Sequence, residues 1–141
     1  MIKEKIEKLT GNNFAKNIIE LKLLSNRISE GKGIGSGVFT VKYQILYLIA
    51  SSGQTSPQEL IFELNMAKSN LALIAKKMIN EGLIVRTKET TNKKQIYYMI
   101  TDKGSKELAI KMKAIENLYL SDSKEMLKHL SKTVEVLKKV K

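Results

Sequence analysis

The chain has 141 residues, of which 43% are hydrophobic, and a formal net charge of +11. This length suits one domain with a core of its own. Because there is no cysteine and only one histidine, His129, disulfides and the usual zinc sites are excluded, and we expect neither a metal nor a cofactor. No apolar run reaches the length of a signal peptide or a membrane span, so we expect a soluble, cytoplasmic protein that binds no membrane.

The positive charge predicts attraction to polyanions such as nucleic acid. Only Arg27 and Arg86 are arginines, so the lysine excess also fits the codon bias of an A+T-rich genome. The position of the charges favours the nucleic-acid interpretation. Residues 66–106 contain nine basic and three acidic residues, which gives a net +6 out of +11 in under a third of the chain.

A long amphipathic helix is predicted between residue 14 and about residue 30. Its apolar positions recur at spacings of three and four, namely Phe14, Ile18, Leu21, Leu24 and Ile28. Such a helix has one face to bury against another element.

Residues 31–37 hold four of the eight glycines, a pattern that invites comparison with phosphate-binding loops. Those loops follow a buried strand and open a helix, whereas here the preceding segment is helical and the Gly-Lys-Ser/Thr order is absent. We therefore interpret this segment as a flexible linker. The next helix, residues 39–52, can be capped by Thr40 and is apolar on nearly all sides, which indicates a central position.

A pair of short helices follows. Ser56, Pro57 and Glu59 mark the first helix, since serine can cap it, proline suits the first position and glutamate completes a capping box. Asn65 tolerates the left-handed conformation that a tight turn between helices needs. The second helix ends at Gly82. Its apolar stripe consists of Ala67, Leu71, Ile74, Ala75 and Met78.

After Gly82 the pattern changes to that of strands. Residues 83–86 and 95–100 are rich in β-branched, aromatic or long side chains, and the spacer 87–94 is polar and basic. This pattern predicts a β-hairpin with a long charged tip, which is a wing. The segment 101–104 resembles the cap of a further helix.

Two helices with apolar stripes are predicted at the C-terminal end. The stripes are Leu108, Met112, Ile115 and Tyr119 in the first helix, and Leu127, Leu130, Val134 and Leu137 in the second, which Ser121 can cap. Both resemble heptad seams, which so small a winged domain cannot bury. They either pack within one chain against the first helix or also bury a two-fold partner. We favour the second arrangement because C2 dimers are common for such surfaces.

The order helix, short turn, helix, glycine, hairpin and capped helix resembles the MarR family of bacterial winged helix-turn-helix transcription regulators. The residues that carry the resemblance are Leu64, Ser69, Leu71, Met78, Gly82, Leu83, Ile84, Arg86, Ile100, Thr101 and Gly104. It implies a mainly α fold with a small β-hairpin wing (α+β). Within a single domain of residues 1–141, it implies an N-terminal dimerisation helix at 1–30, a winged helix-turn-helix at 38–104 and C-terminal dimerisation helices at 105–141.

Two departures from the family pattern concern the surface that binds DNA. The family's wing usually carries Asp-x-Arg nine residues before the threonine, where this chain has Asn92, Lys93 and Lys94. On the second helix of the motif, the family often has an arginine at the position of Leu73 and an acidic residue at that of Lys76. These changes affect the reading of bases more than the fold.

The resemblance and the charge together predict a homodimeric repressor that binds double-stranded DNA, with the second helix in the major groove and the wing at the minor groove. The predicted DNA-binding residues are Lys68, Ser69, Asn70, Leu73, Lys76, Lys77, Arg86, Asn92, Lys93 and Lys94. A step of 100° per residue places Ser69, Leu73 and Lys76 opposite the apolar stripe. No arginine lies on this face for a guanine contact, so we expect a near-palindromic, A+T-leaning site.

Several of these residues have a second interpretation. Lys76 and Lys77 can be ordinary solvated lysines, Leu73 can pack against a neighbouring helix, and Arg86 can brace the hairpin instead of bonding phosphate. At the level of function, the alternative is a winged-helix module that binds an acidic protein partner.

The family resemblance and the residue content also lead to expectations about a small-molecule effector and about enzymatic activity. Members of the family often respond to small, frequently aromatic molecules bound between the dimerisation helices and the winged helix. Tyr43, Tyr47 and Phe14 can line such a cleft or else belong to the core. We expect no enzymatic activity, because both aspartates lie at helix caps and no catalytic triad can be assembled around His129.

Overall fold

A computed structural model of the chain describes residues 14–29, 40–88, 95–118 and 123–139. The predicted fold class is confirmed, since these residues form helices and one β-hairpin. In chain order the elements are α1 (Phe14–Ser29), α2 (Val41–Ser52), α3 (Pro57–Leu64), α4 (Lys68–Asn80), β1 (Ile84–Lys88), β2 (Ile96–Ile100), α5 (Asp102–Leu118) and α6 (Ser123–Lys138). The predicted linker at 31–37 and the predicted cap at Ser121 lie outside the described residues.

Two compact units divide the chain, one up to Thr40 and one from Val41 onwards. The described part of the first unit is α1, which confirms the first predicted helix. Leu21 and Leu24 of the predicted stripe are exposed and Ile18 is half-buried, so the apolar face of this helix is largely uncovered among the described residues. The second unit contains α2 to α6 and the hairpin.

The core of the second unit is built around α2. This helix packs against α3, α5 and β2, and its residues Ile45, Leu46 and Ile49 are fully buried. Burial of such a side chain contributes about 1.5–3 kcal/mol. The predicted central position of this helix is therefore confirmed.

The first helix of the helix-turn-helix begins and ends as predicted. The Glu59 amide donates to Ser56 Oγ (3.2 Å), and the Ser56 amide donates to Glu59 Oε2 (3.1 Å), which completes the capping box around Pro57. Asn65 ends α3 in the left-handed conformation, with φ 49° and ψ 52°. The chain thus enters α4 after a turn of three residues.

The apolar stripe of α4 holds this helix against the core. Leu71, Ala75 and Met78 are buried, and Ile74 is half-buried. The assignment of Ala67 to the stripe was wrong, because Ala67 is exposed and extended at the residue before the helix. A methyl side chain carries no signal that separates a helical residue from the one before it.

The hairpin forms the predicted wing, with a longer first strand than the sequence indicated. Thr87 pairs with Tyr97 and Lys88 with Ile96, so β1 continues to Lys88 and does not end at residue 86. Polar residues at the exposed end of a hairpin can still pair through their main chains. The sequence prediction ended the strand too early because it relied on the polarity of these residues. Thr55 adds a bridge to the sheet through two main-chain hydrogen bonds with Tyr98 (2.8 and 3.1 Å).

The predicted C-terminal seams remain largely uncovered among the described residues. On α5, Leu108 is buried and Met112 is exposed, whereas Tyr119 lies outside the described range. On α6 the predicted stripe is exposed along its length, at Leu127, Leu130, Val134 and Leu137. The winged domain does not bury this stripe, as the sequence predicted.

Candidate nucleic-acid interface

The face of α4 opposite its buried stripe is open to solvent. Its exposed residues are Lys68, Ser69, Asn70, Ala72, Leu73, Lys76, Lys77 and Asn80. Because the core holds the stripe, these side chains must point outwards on a straight helix. The side chain of Leu73 is 69% exposed, so the alternative in which it packs against a neighbouring helix was wrong.

The cations of this face are available to an external anion. Within the described residues, Lys68, Lys76 and Lys77 form no ion pair with a carboxylate. Their charge is therefore not neutralised by the part of the protein that the structure describes. This arrangement fits both a solvated surface and a phosphate-binding surface.

A cleft of about 630 Å³ lies between α4 and the hairpin. Lys68 and Lys76 line it from α4, and Arg86 lines it from β1, where it pairs with Tyr98 in the strand register. The apolar part of the lining includes Leu71, and none of the described residues that line the cleft is acidic. Cations gathered over a low-dielectric wall concentrate positive potential in the cleft.

The wing was predicted to contact DNA at two places, at its base through Arg86 and at its tip through residues 92–94. Arg86 is exposed, lines the cleft and forms no ion pair with a carboxylate of the described residues. The predicted contacts of Asn92, Lys93 and Lys94 lie outside the described residues. The described cleft therefore includes the base of the wing and not its tip.

One residue of the cleft was missed by the sequence analysis. Gln58, in the first turn of α3, is exposed and lines the cleft beside Pro57. Its amide can donate or accept hydrogen bonds at the rim. The local sequence predicted a helix start, but the approach of that helix to Arg86 depends on how α3 and α4 pack together.

The three aromatic residues of the predicted effector cleft differ from one another. Tyr43 is half-buried against the core, and its ring lies 5.3 Å from Lys42 Nζ and 5.7 Å from Lys111 Nζ. Tyr47 is exposed, and the side chain of Phe14 lies outside the described residues. The core alternative therefore holds for Tyr43 and was wrong for Tyr47.

The described part of the chain also bears on metal binding and on membrane insertion. No group of three or more His, Asp or Glu side chains there could hold a metal ion. None of the helices described above has the length and apolar character needed to cross a membrane.

A short helix, a three-residue turn, an exposed basic helix and a hairpin beside it define a class of protein. This is the winged helix-turn-helix of DNA-binding regulators, in which the second helix of the motif is the recognition helix. In this chain α4 occupies the position of that second helix.

A family model matches part of the chain. Residues 40–96 match the model described as MarR family. The predicted resemblance is confirmed. The solved structures that share the fold are described as transcription regulators, which supports the prediction of a DNA-binding regulator over that of an enzyme. No curated protein sequence matches the chain significantly.

Solved structures of transcription regulators share the fold. The regulator BldR from Sulfolobus solfataricus has a TM-score of 0.67 at 18% identity, over 96% of this chain and 99% of that one. A MarR family regulator from Silicibacter pomeroyi has a TM-score of 0.70 at 18% identity, over 91% and 87%. BpsR from Bordetella bronchiseptica has a TM-score of 0.64 at 8% identity, over 91% and 94%.

Proposed function

We propose that this protein is a homodimeric, sequence-specific repressor that inserts α4 into the major groove of double-stranded DNA. The observation that supports this most directly is the exposed basic face of α4 beside the cleft that Arg86 lines. Lys68, Lys76, Lys77 and Arg86 bind backbone phosphates in this proposal, while Lys93, Lys94 and Asn92 of the wing follow the minor groove. The protein acts in the cytoplasm.

The bases are read by the short side chains of α4. Asn70 can bond the edge of adenine, Ser69 can contact a base or a phosphate, and exposed Leu73 can touch thymine methyl groups. The exposed face of α4 carries no arginine, the usual partner of guanine. The proposed site is therefore A+T-leaning, with part of the specificity coming from DNA shape.

The dimer gives the site its symmetry. The exposed apolar faces of α1 and α6 suit burial against a second copy, which supports the division into dimerisation helices at 1–30 and 105–141 and a winged helix at 38–104. Two recognition helices related by a dyad then read half-sites about one DNA turn apart, in a near-palindrome.

A small aromatic effector forms the last part of the proposal. DNA binding by the Bordetella regulator BpsR is regulated by 6-hydroxynicotinic acid. In this chain Tyr47 offers an exposed ring for such a molecule, and Tyr43 lies between two lysines that suit an acidic group. Release of bound DNA by a small aromatic acid would test this part.

The test of DNA binding uses fragments selected from the source genome and titrated by fluorescence anisotropy. We expect the double charge reversal Lys76→Glu and Lys77→Glu to abolish binding at about 150 mM salt, because two phosphate contacts become repulsive. The matched control is Lys128→Glu with Lys132→Glu, on the face of α6 opposite its apolar stripe.

The control carries the same change in net charge and should retain most of the affinity. Equal losses in both double variants would mean that only net charge matters, and unchanged affinity of the α4 variant would remove this helix from the interface. Capture of an acidic protein with no binding to any selected DNA would favour the protein-interaction alternative.

A further inference from the structure

The turn that ends α4 is bonded to the first turn of α5. The end of α4 satisfies its own last carbonyls, with the Gly82 amide bonded to Ile79 O (2.9 Å) and the Leu83 amide to Met78 O (3.0 Å). Gly82 adopts φ +76°, as this kind of helix end requires. The three carbonyls that follow, of residues 81–83, are then left to accept from elsewhere.

All three of these carbonyls accept hydrogen bonds from Thr101 and Lys103. The Thr101 hydroxyl lies 2.6 Å from Gly82 O and 3.0 Å from Leu83 O, so its one proton is shared between them, and the Thr101 amide also donates to Leu83 O (3.0 Å). Lys103 Nζ donates to Glu81 O (2.7 Å). The same Thr101 oxygen accepts from the Gly104 amide (3.0 Å) and so caps α5.

A salt-bridge pair on the surface adds a weaker connection. Lys42 Nζ lies 3.6 Å from Glu81 Oε2 and 3.5 Å from Glu107 Oε2, and each of these side chains is more than a third exposed. Pairs at such a surface contribute about 1 kcal/mol or less. The hydroxyl of Thr101, which is half-buried and meets three main-chain groups, is therefore the principal connection.

We propose that Thr101 is a positioning residue for DNA binding, through which the first turn of α5 sets the orientation of α4. This inference rests on the proposed insertion of α4 into the major groove. The opposite end of α4 has no side-chain cap, so the polar attachment of this helix is concentrated at its C-terminal end. A movement of α5 is carried directly to the recognition helix.

The length of α4 shows why its orientation matters. With 13 residues it is about 20 Å long. A tilt of about 10° at its C-terminal end moves Ser69 and Asn70 by about 3 Å, which exceeds the tolerance of a hydrogen bond to a base edge. In this way Thr101 affects the contacts of Ser69 and Asn70 with the bases through the orientation of α4, without touching DNA.

The experiment compares Thr101→Val, which keeps the shape and removes the hydroxyl, with Thr101→Ser, which keeps the hydroxyl. Affinity for the selected DNA is measured over a salt series, at a temperature where circular dichroism shows each variant to be folded. We expect Thr101→Val to bind about tenfold more weakly, within the usual range for coupling between two parts of a protein. The slope of log K against log salt should be unchanged, and Thr101→Ser should stay within about twofold.

Two further variants separate positioning from contact and from stability. Lys76 contacts phosphate in the proposed function, so Lys76→Met should lower the slope of log K against log salt as well as the affinity. Ile49→Val in the core should lower the melting temperature without weakening the binding of the folded protein. If Thr101→Val does not fold, Lys103→Met replaces it, because methionine keeps the aliphatic stem but loses the bond to Glu81 O.

Unchanged affinity of folded Thr101→Val, or equal losses in the valine and serine variants, would overturn the inference. So would a lower salt slope in Thr101→Val or Lys103→Met, since that marks a lost phosphate contact. Failure of the wild-type protein to bind any selected DNA would instead remove the proposed function itself.

Discussion

Gly104 occupies a position in α5 where the backbone of another segment comes very close. A Cβ atom there would lie 2.9 Å from Ile100 Cγ1 and well inside van der Waals contact with the main-chain oxygen of Leu83. That oxygen cannot move away easily, because it accepts hydrogen bonds from Thr101. The absence of a side chain at residue 104 therefore permits the junction between α4 and α5.

Replacement of Gly104 by alanine should destabilise the protein by about 2–3 kcal/mol, because the added methyl group meets backbone and not a flexible side chain. Thermal unfolding followed by circular dichroism measures the loss. Ser105→Ala, at the exposed neighbouring position, is the control and should change stability by less than about 0.5 kcal/mol. Equal melting temperatures for Gly104→Ala and wild type would show that the junction adjusts without cost.

The residues predicted correctly from sequence are those whose chemistry acts locally. Ser56, Glu59 and Asn65 bond or turn the chain within four residues of themselves, so the printed order suffices. The bond between Lys103 and Glu81 O joins residues 22 positions apart, and no local pattern indicates it. Gln58 was missed for the same reason, because its place in the cleft follows from packing.

At the scale of elements, the positions of the helices and the hairpin can be predicted from the periodicity of the sequence. The residues at which these elements begin and end are predicted less well. The burial of the α4 stripe could be predicted because its apolar residues return every three or four positions. The ends of β1 and α4 could not, since Thr87 and Ala67 suit more than one conformation. The exposure of the α4 surface follows from the same periodicity. The position of the hairpin across the cleft cannot be predicted in this way.

The apolar stripe of α6 leads to a prediction about association. Leu130 and Val134 lie half exposed in its middle, where a second copy would cover them. Leu130→Lys with Val134→Lys should weaken the dimer at least about a hundredfold, because four charges per dimer would be placed in the buried seam. Multi-angle light scattering at micromolar concentration measures the mass.

The variant with Lys128→Glu and Lys132→Glu serves again as the control, since these lysines lie opposite the stripe and should leave the dimer intact. A wild-type monomer at micromolar concentration, or a dimer that persists in the Leu130 and Val134 variant, would contradict this account of α6.

For the molecule as a whole, the net charge of +11 matters through its distribution. Three lysines of α4 and Arg86 have no carboxylate partner within the described residues, so each can neutralise a phosphate and release a counterion condensed on the DNA. An even spread of the same charge would give attraction to any polyanion without a definite number of contacts.

The salt dependence of binding therefore measures the number of contacts between protein cations and DNA phosphates. If each subunit neutralises three to five phosphates, a dimer makes about six to ten contacts, and affinity should fall on the order of 10³ to 10⁵-fold between 50 and 200 mM salt. The slope measured by anisotropy should decrease by about two when Lys76→Met removes one contact from each subunit. The same slope in the variant would mean that Lys76 is merely solvated, and a shallow slope in the wild type would mean that fewer cations meet DNA than the cleft and the α4 face provide.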